Sequence, residues 1–391
     1  MELSTTRCCI LSAGAVSTTS LKAGRGPCLE LNRTKLSRQS QALMGVVFIA
    51  PVLVIGLVLL WSATDTRGVT AEQSAEEDPR SVPHEARKPH PRSIALGAYI
   101  DRAPENPAKI DEFANMVGKQ PSVVMWYQDW ATPGVKEFDC VRMDEVAARG
   151  AMPVITWEPY DWTQGANQPQ YALREIVDGR YDNHVRSWAR DAAACGEPFY
   201  LRFAHEMNGD WYPWSPGVNG NAGAAEYVAA WKRVHNIFEE EGATNVRWVW
   251  SPNVTDPSRP SYASLYPGDE YVDWVAIDAY NWGTSQPSRH IWQTLPEIFD
   301  DSYEEMDALT DKPMMVGETA SAELGGDKAA WIRQTFLTDI PSSYRQVRAV
   351  IWFHRNNVAY GQADWRVNSS KAALKAYREV VSSPLYQGRL R

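Results

Sequence analysis

The strongest constraint on this chain is a rhythm. From Ser93 onward, eight short apolar or β-branched runs recur: Ile94–Ile100, Ser122–Tyr127, Met152–Trp157, Phe199–His205, Val246–Ser251, Trp274–Tyr280, Met314–Glu318 and Ala349–Phe353. Stretches of helical character lie between them at Asp139–Arg149, Asn183–Ala194, Ala224–Glu241, Leu295–Leu309 and Lys328–Leu337, and Ser370–Val381 follows the last run. Runs this short suit buried strands, and the longer stretches suit helices. Strands alternating with helices predict a (β/α)8 TIM barrel over residues 93–391, closed by the last helix. A doubly wound open sheet is the alternative, but no glycine-rich phosphate-binding turn follows any run.

The N-terminal part has a different character. Residues 42–61, Ala42 to Trp61, are uncharged and almost wholly apolar, and about 20 such residues suffice to cross a bilayer as a helix. Arg33, Lys35 and Arg38 precede them, while Asp65, Glu72, Glu76, Glu77 and Asp78 follow. Positive charge stays cytoplasmic, so residues 1–41 are expected inside as a flexible tail and the large C-terminal part outside. The preferred reading is an uncleaved single-pass anchor in the cell membrane. A cleaved signal peptide, leaving a secreted protein, is the alternative, with only a weak cleavage site at Ser62-Ala63. Residues 62–92 have scarcely a large apolar side chain and read as a disordered spacer.

Composition narrows the function. A net charge of -9 and the lack of a basic stripe argue against nucleic acid as a partner. Of 17 tryptophans, all but Trp61 lie beyond Arg92. A core seldom needs so many, because the ring is large and its N–H wants a partner. The surplus suggests a cleft that stacks sugars, with core filling taking a share. Cys140 and Cys195 are the two cysteines of the exported part. They form a disulfide in an oxidising compartment or stay as two separate thiols.

Barrel enzymes carry their chemistry at the C-terminal ends of strands. The polar endings here are Trp157-Glu158, His205-Glu206, Asp278-Ala279-Tyr280-Asn281-Trp282, Gly317-Glu318 and Trp352-Phe353-His354. Glu206 and Glu318, at the ends of strands four and seven, would face each other across the mouth. Two opposed carboxyls can cleave a glycosidic bond, one protonating the leaving oxygen while the other attacks or activates water. The aromatic loop that follows, through Trp211 and Trp214, fits the same chemistry. Glu158 is a third strand-end carboxylate expected to line the cleft. Asp278 suits a structural hydrogen bond within the barrel. Trp157, Trp162 and Trp282 are candidate sugar platforms, with ordinary packing the alternative for each. His205 would orient a carboxylate or bind a substrate hydroxyl, or else is a hydrogen-bonded core histidine. No second histidine completes a zinc-protease motif around His205-Glu206, so no metal and no cofactor is expected.

The run Arg202 to Trp214, together with Asp278-Ala279-Tyr280-Asn281 and Lys312-Pro313-Met314-Met315-Val316-Gly317-Glu318, resembles glycoside hydrolase family 26. The resemblance extends from about Ser93 to Val381, and its His-Glu-Met-Asn-Gly-x-Trp block is highly specific. It implies a (β/α)8 fold and retaining chemistry, with Glu206 as acid/base and Glu318 as nucleophile. Tyr280 matches the tyrosine that hydrogen-bonds the nucleophile, His205 the histidine before the acid/base, and Trp352 a strand-eight tryptophan under the sugar. The implied substrate is a β-linked polysaccharide: β-1,4-mannan or glucomannan first, mixed-linkage β-1,3-1,4-glucan second. The catalytic domain is expected to be monomeric. Mannanases of the family often carry Pro before the His-Glu pair and Trp-Phe-Trp-Trp after the glycine. Here Ala204 and Trp211-Tyr212-Pro213-Trp214 stand there instead. The competing class is a non-catalytic polysaccharide-binding barrel, which has no need of two opposed carboxyls. A structural cell-envelope protein would explain the anchor but not the paired glutamates.

Overall fold

A computed structural model of the protein describes residues 93–219, 223–286 and 291–390. The expected tail 1–41, anchor 42–61 and spacer 62–92 lie outside the described residues. Among the described residues, no helix is long and apolar enough to cross a membrane.

The eight runs form eight parallel strands closed into one barrel: β1 (Ala95–Ile100), β2 (Val123–Asp129), β3 (Met152–Glu158), β4 (Phe199–Phe203), β5 (Val246–Trp250), β6 (Trp274–Asn281), β7 (Met314–Ser321) and β8 (Val347–His354). β1 pairs with both β2 and β8, which closes the ring. Helices at Cys140–Ala147, Asp182–Cys195, Gly223–Glu240, Leu295–Leu309, Lys328–Gln334 and Lys371–Ser382 match the expected stretches. A further helix, Ala108–Val117, follows β1 and buries Ile110, Phe113, Ala114 and Val117 at helical spacing. The stretch expected at Lys328–Leu337 ends its regular α turns at Gln334 and widens into a π-helical turn over Thr335–Asp339.

The core is continuous from strands to helices. Strand side chains alternate, one set filling the barrel and the other meeting the helices. On β4, Phe203 faces outward against Trp231, at 5.8 Å between ring centroids. Arg202 beside it turns inward, where Thr156, Ser251, Asp278 and Glu318 bond its guanidinium. Cys140 and Cys195 form a disulfide that ties the start of one outer helix to the end of another.

Candidate active site

The sharpest local feature is the end of β4. Ala204 and Glu206 both have positive φ, 44° and 50°, a region non-glycine residues enter at a cost of order 1–3 kcal/mol each. Two turns so close together lift the chain off the barrel wall and point it over the mouth. The backbone N–H of Glu206 donates to the Ser251 carbonyl at 2.7 Å, and its carbonyl accepts from the Gly209 N–H at 3.0 Å. Asn208 fixes the same loop to the one after β5, bonding the Asn253 backbone at both ends of its amide, each at 2.9 Å.

These contacts deliver the Glu206 carboxyl between two neutral donors. Asn253 Nδ2 lies 2.7 Å from Oε1, and Trp211 Nε1 lies 2.8 Å from Oε2. Burial and the nearby charge of Glu318 raise its pKa above the usual carboxyl value, against the pull of these two bonds and of Arg202.

Glu318 sits on β7 in a different setting. Tyr127 and Arg202 both donate to Oε1, the tyrosine at 2.5 Å, while Tyr280 donates to Oε2 at 2.5 Å. Three donors on two oxygens suit an ionised carboxylate. Arg202 is 1% exposed, and Asp278 takes its other arm at 2.8 and 2.9 Å. Removing a guanidinium from water costs several kcal/mol, and two carboxylates with the Thr156 and Ser251 hydroxyls offset that cost. The packing is close. A Cβ on Gly317 would stand 2.6 Å from Asp278 Oδ1, so only glycine fits beside Glu318. Ligand atoms of His205, Asp278 and Glu318 converge within 4.8 Å, but Arg202 already pairs with both carboxylates in that group.

His205 is buried, and its pKa is held well below the ordinary imidazole value by burial and by the positive charge of Arg202. The ring is therefore neutral. Nε2 meets the Tyr212 hydroxyl at 3.1 Å, while Nδ1 has no hydrogen-bond partner among the described residues and lies 4.0 Å from Glu158 Oε1. Glu158 is itself buried, and desolvation raises its pKa well above the usual range, so it is held protonated.

The expected aromatic residues divide. Tyr280 and Trp211 touch the two central carboxyls. Trp282 is half-buried at the mouth, with Trp365 at 5.0 Å and Tyr280 at 6.2 Å between ring centroids. Trp214 is fully buried; its ring stacks on Tyr212 at 4.2 Å and its N–H donates to the His205 carbonyl. It supports the loop and offers no open face. Two more expected rings prove to be packing, which for Trp157 is the alternative the sequence left open and for Trp352 is a correction. Trp157 is fully buried against Trp188, at 4.5 Å, on the helix side of β3. Trp352 is fully buried among Tyr377 and Phe336 of the helix layer, and its N–H donates to the Trp365 carbonyl. Side chains alternate along a strand, so the ring of β8 at the mouth is Phe353, packed on Tyr99 and near Tyr280.

Other residues of the site were not singled out from sequence. Tyr127 ends the second expected strand and Asn253 follows the fifth, so both were findable by position. Arg202 carried its own signal, a charge inside an apolar run. Trp365 lies in the loop after β8 and gave none.

The comparisons with known proteins agree with this geometry. The family model described as Glycosyl hydrolase family 26 matches residues 167–308. Endoglucanase H of Acetivibrio thermocellus is 38% identical over 294 residues, 74% of this chain and 30% of that protein. Mannan endo-1,4-beta-mannosidase A and B of Caldalkalibacillus mannanilyticus is 36% identical over 132 residues, 33% of this chain and 23% of that protein. This chain thus spans less than a third of the length of either relative. Among solved structures, the YdhT protein of Bacillus subtilis shares the fold, with a TM-score of 0.54 and 18% identity over 74% of this chain and 86% of that one. Barrel, placed glutamates and sequence relatives point the same way: over residues 167–308 the chain is similar to glycosyl hydrolase family 26.

Proposed function

We propose that the protein is a retaining endo-β-glycanase, with Glu206 as acid/base and Glu318 as nucleophile. The observation that carries this reading is the unlike setting of the two glutamates. Burial and a neighbouring negative charge keep Glu206 protonated to higher pH, whereas Glu318 is surrounded by donors. Environments that set two carboxyls apart mark an acid and its partner. Glu318 attacks the anomeric carbon as Glu206 gives its proton to the departing oxygen; Glu206 then takes a proton from the water that releases the sugar.

The substrate is a β-linked polysaccharide. Mannan or glucomannan draws on the mannanase relatives, including that of Bacillus subtilis, 36% identical over 89 residues. Mixed-linkage glucan draws on the longer match to Endoglucanase H. It also draws on Ala204, whose φ of 44° excludes the proline, fixed near −65°, that mannanases often carry there. Reducing-end release from mannan, glucomannan, lichenan, β-1,3-xylan and cellulose separates these readings. Glu318→Ala should lose about 10⁴-fold or more in kcat on the best substrate. NMR of the first product should show retained configuration; an inverted anomer removes Glu318 from the nucleophile role. A wild type that binds a glycan and cleaves none makes the barrel a binding module.

The domain is proposed to work as a monomer outside the cell, tethered through residues 42–61. Protease added to intact cells should then release it, with residues 42–61 left in the membrane fraction.

A further inference from the structure

The loop after β5 reaches both oxygens of Glu206. Asn253 bonds Oε1 directly. Oε2 is held by Trp211, and the residue that holds Trp211 is Arg259, whose guanidinium carbon lies 4.6 Å from the centre of the indole ring. Arg259 is itself placed. Asp256 accepts from the N–H and hydroxyl of Ser258 at 2.8 and 2.7 Å, and its other oxygen lies 3.6 Å from Arg259 Nε. The loop is fixed to the outer helix by the Thr255 N–H, 2.8 Å from Ser302 Oγ. The backbone of Gly209 closes on the same indole, since an added Cβ there would stand 2.6–2.7 Å from three of its carbons. At 36% exposure, Trp211 is thus a clamped donor more than an open stacking platform.

We infer that Arg259 is a positioning residue for Glu206, acting through Trp211: its guanidinium pins the indole so that the N–H stays on the carboxyl. This rests on the acid/base reading of Glu206. The carboxyl becomes negative as it gives up its proton, and a donor already in place stabilises that charge without reorganising. An indole free to swing away would leave Oε2 bare at the moment it becomes charged. The charged and titratable groups around Glu206 are Arg202 of β4, Glu318 of β7, Asp278 and Tyr280 of β6, Glu158 of β3, and Tyr212 of its own loop. Arg259 touches none of them in the contacts described above, so its removal tests the Trp211 path.

The experiment compares wild type with Arg259→Ala, Trp211→Phe and the double variant. In the wild type, the ¹H–¹⁵N signal of the Trp211 indole, identified by its loss in Trp211→Phe, should move as Glu206 titrates; in Arg259→Ala it should not follow. On polysaccharide, Arg259→Ala should lose on the order of tenfold in kcat/KM, a fraction of the about 10²–10⁴-fold that a positioned acid supplies. An aryl glycoside with an activated leaving group needs little acid help and should lose much less. The alkaline limb of the pH profile should move upward, because the carboxylate has lost a donor. Trp211→Phe should do the same, and the double variant should lose no more than either single one. An indole signal that tracks Glu206 equally in Arg259→Ala, equal losses on both substrates with an unmoved limb, or additive losses in the double variant would each overturn the inference. A wild type that cleaves nothing sinks the glycanase reading instead, and the indole signal still decides whether Arg259 holds the contact.

Discussion

Each oxygen of Glu318 has a different number of donors, and that asymmetry makes a prediction. Oε1 is shared by Tyr127 and Arg202, whereas Oε2 has Tyr280. A hydrogen bond to a charged group contributes about 1.5–3 kcal/mol. Tyr280→Phe should therefore lower kcat/KM about ten- to a hundredfold. Tyr127→Phe should cost less, because Arg202 still covers Oε1. Steady-state kinetics on the preferred polysaccharide checks the order, and a larger loss in Tyr127→Phe contradicts it. At this scale the sequence was informative about identity and poor about direction. Glu206 lies three residues past β4, while Glu318 and Tyr280 lie within the last four residues of β7 and β6. Trp352 and Phe353 are neighbours in sequence, yet one belongs to the helix layer and the other to the mouth. A one-residue shift in the reading of a strand exchanges its faces, and composition cannot tell which of two adjacent rings turns inward.

At the scale of elements, strands were more legible than helices. All eight strands fall within a few residues of the apolar runs, because a strand buried on both sides must be apolar throughout. The apolar rhythm did not mark the helix Ala108–Val117, although Ile110, Phe113, Ala114 and Val117 keep helical spacing. The choice between thiols and disulfide could not be made from sequence, since the two cysteines are 55 residues apart and only packing brings their Cα atoms to 5.7 Å. Closing a loop of that length restricts the unfolded chain, worth about 4 kcal/mol in the chain-entropy account. Cys140→Ser/Cys195→Ser should accordingly lose about 2–4 kcal/mol in urea unfolding, and reduction of the wild type should cost a similar amount. No loss on reduction would mean that the bridge contributes nothing to the folded state.

Over the whole molecule, proton linkage and surface character both follow from how the barrel is packed. Burial pulls the pKa of His184 down to about 4 and that of His354 down to about 3, from the ordinary imidazole value of 6.5. His354 Nδ1 accepts the Val367 N–H at 3.1 Å, which needs the neutral ring. Above pH 6.5 neither folded nor unfolded chain protonates it. As pH falls below 6.5 the unfolded chain takes up the proton and the folded one does not, so stability is lost progressively down to about pH 3. Glu158 and Glu206, whose carboxyls are raised, work in the opposite direction. The His354 contribution is isolated by comparison with His354→Gln. The stability advantage of wild type over that variant should shrink from pH 7 to pH 4, by up to about 1.4 kcal/mol per unit, as measured by urea unfolding. A constant advantage would show that His354 titrates normally.

Among the described residues, every exposed large apolar side chain except Val141, on the helix Cys140–Ala147, lies between a strand and the helix that follows it: Trp162, Trp211, Ile291, Leu324, Val358 and Tyr360. Such segments gather at one face of the barrel, the face that carries Glu206 and Glu318. The sequence by itself determined the barrel, its strand count and the two strand-end glutamates, because burial imposes a local pattern that each run of residues must satisfy alone. Only the tertiary structure decided which rings face the mouth, that Arg202 joins Asp278 to Glu318, and that Arg259 reaches Trp211. Those contacts join segments far apart in the chain, and they depend on strand register and on where loops meet.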